Sequence, residues 1–299
     1  MANEITSANA AQAIVKLVAA EVLPALMSNL IMGQLVNRNY ESVLQKEGDV
    51  VNVPIAPAMS SNNIAEAGSV INQNPSLGNA QVVLNTHSEA TFVIPDATKV
   101  LASPDLMATY LSPAAIALAE SIEGSLLNLY QNLTANTAVG TGATPLTEAT
   151  VDAAEKALFV AKVPQSIQKH LVVGADAYSD LRQIERFSEV AAQGSGSPIT
   201  TGTLGKIKDF LVYRSQLVKK PSTTTYNLAF APDAFALVTR RMPIPLPGTG
   251  AVAEFVSLGG FGLRVVMSYA PNTLSQQFTV DVLYGCAVLR NVFGLQVLS

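Results

Sequence analysis

The sequence predicts an α+β chain in which one long helix meets antiparallel strands drawn from distant parts of the polypeptide. Three observations carry this. Leu111, Ala115, Leu118, Ile122, Leu126, Leu129 and Leu133 recur at steps of four and three, the period of one apolar helix face. From Ala80 to Ile94 apolar and polar residues alternate, as on a strand with one wet face. From Thr147 to Val238, helical and extended patterns alternate at the short spacing of a compact α/β unit.

Residues 1–47 read as an N-terminal arm. Ile14, Leu17, Val18, Val22 and Leu26 form one stripe, interrupted at Pro24; Leu30, Ile31, Leu35 and Val36 form a second. Pro24 and Gly33 divide the arm into two short helices, expected to pack against a neighbouring domain or subunit. Gly48-Asp49 punctuates the chain, and Val50, Val51, Val53 and Ile55 open a strand that Pro54 and Pro57 mark as an edge. Residues 58–79 are polar and rich in Gly, Ser and Asn, with no helical period. With the alternating run from Ala80 to Ile94, the segment 48–95 describes a two-stranded ribbon, marginal in water unless it leans on something else.

Ser103-Pro104 and Ser112-Pro113 both signal helix starts, a capping hydroxyl followed by a proline with no intrahelical donor to lose. The first is expected to open a short turn, the second the main rod, roughly 31 Å long from Pro113 to Leu133 at ~1.5 Å per residue. Glu120, Glu123, Asn128 and Gln131 lie on its other side, facing solvent or an interface. Leu118, Ile122, Leu126 and Leu129 are the candidate core or interface residues.

After a Thr/Gly/Ala linker at 135–145, Thr147 to Val163 reads as a helix with Val151, Ala154, Leu158 and Ala161 inward. A strand follows at Lys169–Val173 and a helix at Ala175–Phe187, with Tyr178, Leu181 and Ile184 inward. Then come a loop at Gln193–Thr203, a strand from Ile207 through Val218, a strand at Tyr226–Ala231 and a short helix at Pro232–Val238. The proline-rich Met242–Gly250 leaves this unit. Leu263–Tyr269 and Phe278–Leu283 form an antiparallel pair, and a last apolar strand ends near Leu298. These late strands are expected to cover the stripe of the long helix, which makes their domain discontinuous in sequence.

Composition narrows the function. Charged residues make up 13% of the 299, about half of the ~25% usual in soluble globular proteins. A surface so poor in charge is economically explained by other subunits covering it. No uncharged apolar run reaches the ~20 residues of a membrane span. The net charge of −4 implies no general field for nucleic acid. One cysteine, Cys286, excludes an intrachain disulfide and suits a reducing compartment. Met1 to Ala10 carries Glu4 and no basic cluster, unlike a secretory signal.

The search for chemistry returns no catalytic, cofactor-binding or metal-binding set. His87 and His170 have no ligand partners at zinc spacing. Cys286 sits in an apolar setting and reads as an inert thiol. Gly248-Thr249-Gly250-Ala251-Val252-Ala253 imitates a dinucleotide fingerprint, but prolines precede it where a strand is needed and no helix start follows. Lys206, Lys208, Arg214, Lys219 and Lys220 form one basic cluster. With only Phe210 and Tyr213 interleaved, it suits a solvated face or ion pairs between subunits better than nucleic-acid contacts.

The order of parts, with several local phrases, resembles the major capsid proteins of tailed bacteriophages, the Hong Kong 97-type fold. The phrases are Gly48-Asp49-Val50-Val51-Asn52-Val53-Pro54; Leu171-Val172-Val173-Gly174 followed by Tyr178-Ser179-Asp180-Leu181; the run from Gly202 to Ser215; Phe230-Ala231-Pro232-Asp233-Ala234-Phe235-Ala236-Leu237; and Tyr284-Gly285-Cys286-Ala287-Val288-Leu289-Arg290. Together they span nearly the whole chain. The resemblance implies an N-terminal arm (1–47), an extended E-loop (48–95), a peripheral domain with a spine helix (96–140 and 252–299) and an axial domain (141–251). It implies a subunit that self-assembles into the pentamers and hexamers of an icosahedral shell, without a cofactor or a membrane. Its partners would be further copies of itself, a separate scaffolding protein, a portal, non-specifically packaged DNA and a decoration protein. Its place would be the virion, after assembly in host cytoplasm. An encapsulin-like cellular compartment shares the fold and is the nearest rival. A soluble α/β enzyme with a site built from scattered polar residues is the rival from another class.

Overall fold

The computed structural model describes residues 30–40, 50–97 except 58, 65 and 67, 106–184, 205–246, and 249–299 except 259 and 260. The stripe from Ile14 to Leu26, the Ser103-Pro104 signal and the 193–203 loop lie outside these residues. A short helix, α1 (Met32–Leu35), comes first. Strands β1 (Val50–Ile55) and β2 (Gly78–Val83) then form an antiparallel hairpin, with Val51 opposite Val82 and Ile55 opposite Gly78. Strand β3 (Thr86–Pro95) follows.

The unbroken strand expected from Ala80 to Ile94 is therefore two. The alternation persists across the break, with Val82, Leu84 and Ile94 buried and the odd positions from Gln81 to Val93 exposed. The hydrogen-bonding partner changes at Leu84-Asn85, which period alone does not reveal.

The long helix is α2 (Leu106–Asn128), tightening into a 3-10 turn at Leu129–Asn132. It runs straight through Pro113 and does not begin there. The Pro113 ring is exposed, so the helix accommodates it without burying the ring. Next are α3 (Glu148–Val160), β4 (Lys169–Val173) and α4 (Ala175–Gln183). The Thr147 side chain caps α3 by accepting the N–H of Thr150.

Strands β5 (Lys206–Ile207) and β6 (Phe210–Arg214) flank a tight turn in which Lys208 takes φ +52°. The strand expected to run on to Val218 thus stops at Arg214. After β7 (Tyr226–Phe230), the helix expected at Pro232–Val238 is only a 3-10 turn at Pro232–Ala234, followed by β8 (Phe235–Arg240). Phe235, Leu237 and Val238 find strand partners in β11, and tertiary pairing overrides the local pattern. The chain closes with β9 (Ala251–Leu258), β10 (Phe261–Ala270), β11 (Ser275–Val288) and β12 (Gly294–Leu298).

Two five-stranded sheets result. One has the order β3-β11-β10-β9, with β8 pairing the C-terminal half of β11. The other has the order β12-β7-β4-β6-β5, mixed because β4 and β6 run parallel. Helix α2 lies on β3 and β11 of the first, so sheet from the end of the chain does cover the mid-chain helix. The last strand, β12, pairs with β7 in the second sheet and meets the rod only at its end, where Gly294 lies against Leu133 and the Gln296 amide donates to the Tyr130 and Leu133 carbonyls. Leu111, Ala115, Leu118, Ile122 and Leu126 are buried in a core continuous with both sheets. Each of the leucine and isoleucine side chains contributes about 1.5–3 kcal/mol relative to exposure.

Candidate assembly surfaces

The hairpin has a dry base and a bare tip. At the base, Val51, Val53, Val82 and Leu84 pack on Ala236, Val238 and Leu289, so the ribbon leans on its own chain there. Beyond Ile55 the partnering ends. The described residues of 56–77 contain no helix or strand, and Met59, Ile64, Val70, Ile71 and Leu77 are each more than half exposed. Within this stretch Gln73 bonds Ser60 through both its amide atoms. Five large apolar side chains exposed on one loop are surface that water does not favour and a partner would cover.

The four stripe residues singled out from sequence point inward. Leu118, Ile122 and Leu126 are buried and Leu129 half-buried within this chain. The basic cluster divides. Lys208 pairs with Asp152 and lies 3.6 Å from Glu148; Lys220 pairs with Asp176 at 2.7 Å. The Arg214 guanidinium lies 5.8 Å from the centre of the Tyr178 ring. The Lys219 ammonium reaches Gly124 on α2, and Lys206 is exposed. Three of the five therefore have partners in their own chain, which reduces what the cluster can offer a neighbour.

Glu123 corrects the expectation that both α2 carboxylates face outward. Glu120 is exposed, but Glu123 is 1% exposed. It accepts the N–H groups of Ile31 and Met32, each at 2.9 Å, and the hydroxyl of Ser215 at 2.9 Å. Burial pushes its carboxyl above the ordinary glutamate range, while these three bonds pull the other way. The carboxylate thereby fixes residues 30–37 on the chain's own body. Asn37 extends the attachment: its N–H donates to Pro232 and Phe235 carbonyls, and its carbonyl accepts from Leu237. Sequence reasoning missed this node because a Glu one step off an apolar stripe looks like any solvated residue.

His87 bonds Asp281 at 2.8 Å, and Arg264 closes on both oxygens of the same carboxylate. His170 is packed between Tyr213 and Phe230, and burial lowers its pKa. Burial raises the Cys286 thiol to about 11, which leaves little thiolate at neutral pH. Between α3 and β4 is a cleft of about 580 Å³ lined by Asp152, Glu155, Lys156, Phe159 and Gln165, with the Lys169–Asp209 pair at its floor. Its charges are mixed, and it holds no histidine or cysteine. Among the described residues no group of three or more His, Cys, Asp or Glu is placed to hold a metal, and no helix is long and apolar enough to cross a membrane.

No protein-family model matches the chain, and no curated protein matches it. Solved structures do. A chain of Mycobacterium phage Che8 is similar over 90% of both chains, with 20% identity and a TM-score of 0.64. The capsid of Ralstonia phage GP4 is similar over 89% of this chain and 87% of its own, at 12% identity and a TM-score of 0.62. A virus-like particle from Pyrococcus furiosus is similar over 95% and 99%, at 12% identity and a TM-score of 0.52. The fold is that of phage major capsid proteins. The chain shares this α+β architecture along nearly its full length.

Proposed function

We propose that this chain is the major capsid protein of a tailed phage, self-assembling into pentamers and hexamers of an icosahedral shell around the genome. The observation that carries the reading is the loop 56–77, in which Met59, Ile64, Val70, Ile71 and Leu77 are exposed, on a fold shared with phage capsid chains over most of its length. In this reading residues 48–85 are the E-loop reaching over a neighbour, and α2 is the spine helix. The first sheet forms the peripheral domain. The second, with α3 and α4, forms the axial domain. These divisions follow strand pairing, so β3 and β8 go to the peripheral sheet and β12 to the axial one. The subunit needs no catalytic residues, and its self-contacts repeat at every boundary of a closed shell. A separate scaffolding protein, a portal, decoration proteins and DNA held non-specifically on the inner surface are the partners this role brings, in a virion assembled in host cytoplasm.

The similarity to the virus-like particle, which covers nearly all of both chains, supports an encapsulin-like compartment as the second reading. Electron microscopy of the purified protein, with and without co-expressed neighbouring genes, tests both. Shells or capsomers are expected, and DNA inside separates the phage reading from a compartment filled with protein cargo. A monodisperse monomer of 31.4 kDa across concentrations overturns both.

A further inference from the structure

Glu123 touches three parts of the chain at once. One oxygen holds the paired N–H groups of Ile31 and Met32, and the other holds the Ser215 hydroxyl. Ser215 in turn closes the second sheet, its N–H donating to the Val173 carbonyl at the end of β4 and its hydroxyl accepting from the Leu217 N–H. None of the three donors on Glu123 is a cation, and among the described residues it forms no ion pair.

The charged groups on the surrounding elements are placed otherwise. Glu120 on the same helix is exposed. Arg38 on the arm segment lies over the Phe261 ring. Beyond β6, Arg214 lies over Tyr178, Lys220 pairs with Asp176, and Lys219 reaches the helix at Gly124.

We propose that Glu123 is a proton-coupled latch, at which residues 30–37 seat against the long helix as this carboxyl group takes up a proton from solvent. The geometry suits the neutral acid as well as the anion. The carbonyl oxygen still accepts both N–H groups, and the acid O–H donates to the Ser215 hydroxyl, which turns to accept it. The neutral form keeps all three bonds without a buried, cation-free charge. When the segment leaves, water reaches the carboxyl and the proton returns to solvent.

The sign follows from linkage. Burial raises the pKa of the seated form above its released value, so the seated state binds the proton more tightly. Seating is therefore fully favoured below the released pKa and weakens as pH rises through the seated one. The latch goes beyond the shell reading and requires no assembly.

Hydrogen–deuterium exchange on the full chain tests it, read on peptides covering 30–40 with β11 peptides as an internal reference. Rates are corrected for the intrinsic pH dependence of exchange. From about pH 5 to about pH 8, protection of 30–37 relative to β11 is expected to fall roughly threefold or more. Glu123→Gln, whose amide reproduces the neutral acid, keeps the protection and makes it independent of pH. Ser215→Ala removes a bond that is stronger to the anion than to the neutral acid, and so moves the fall to higher pH.

A flat wild-type profile, or a Glu123→Gln profile with the wild-type slope, overturns the proposal. If Glu123→Gln does not fold, Ser215→Ala decides alone, and an unchanged or lowered midpoint overturns it. Assembly is not the readout, so none of these outcomes bears on the shell reading.

Discussion

At Gly285 a Cβ would lie 2.2 Å from the carbonyl oxygen of Val83 and 3.1 Å from the Cα of Leu84. Both obstacles are backbone, so no rotamer relieves them. This is the point where the hairpin crosses β11, and Gly285→Ala must lift β2 from its seat on Ala236 and Val238. A cost of about 1–3 kcal/mol is expected, read as a lower melting midpoint with faster exchange in peptides covering 78–84. Two neighbours on α2 make a second test. Ile122→Asp strands a carboxylate in the core and is expected to cost several kcal/mol. Glu123→Ala leaves the Ile31 and Met32 N–H groups without their acceptor and is expected to cost about 2–3 kcal/mol. Denaturant unfolding of the two variants checks both figures. Wild-type stability in Glu123→Ala would mean that residues 30–37 do not seat in solution. The stripe containing Ile122 was legible from spacing alone. The role of Glu123 was not, because its partners, two backbone N–H groups and the Ser215 hydroxyl, lie 91 and 92 residues away, and spacing reports only neighbours.

Among the elements, those that persist through their own period were the most legible. The 3.6-residue stripe gave the long helix, and alternation gave the hairpin and the β10–β11 pair. Strand Lys169–Val173 came with its observed bounds. What failed was partnership. Nothing in the alternation from Ala80 to Ile94 says that β2 belongs to β1 and β3 to β11, and nothing in Gly294–Leu298 says that β12 joins β7. Strand β9 is hidden in the sequence by the Gly248-Thr249-Gly250 that precedes it, which imitates a cofactor motif. The hairpin supports a sharp separation of folding from assembly. Ile55 and Gly78 are already paired, so replacing 56–77 with Asn-Gly closes the hairpin with a two-residue turn suited to it. The described residues of 56–77 add nothing to the core clusters. Circular dichroism and the melting midpoint are expected to shift little, by less than about 1 kcal/mol in stability terms, while shell formation is lost. Normal particles from this variant would show that the loop grips no neighbour. Outright unfolding would show that it serves its own core.

For the whole molecule, the balance of charge and apolar surface determines how the proposed assembly should respond to conditions. Only 40 of 299 side chains are Lys, Arg, Asp or Glu, and the net charge is −4, so self-repulsion between copies is small. Lys208 and Lys220 form ion pairs within their own chain, which leaves fewer cations for boundaries between copies. The loop 56–77 instead presents Met59, Ile64, Val70, Ile71 and Leu77. Contacts made by burying such groups are entropy-driven near room temperature and weaken on cooling, whereas surface ion pairs are screened by salt. Assembly measured by light scattering is therefore expected to set in at lower protein concentration at about 25 °C than at about 5 °C. Raising salt from about 50 mM to about 500 mM should move the onset by less than roughly threefold. The loop-replaced variant, which lacks the apolar surface but keeps nearly all the charge, separates the two causes. If it still assembles and salt then disperses it, ion pairs hold the boundaries. If it stays monomeric at both salts while the wild type assembles more readily on warming, the loop is the contact and apolar burial is the force.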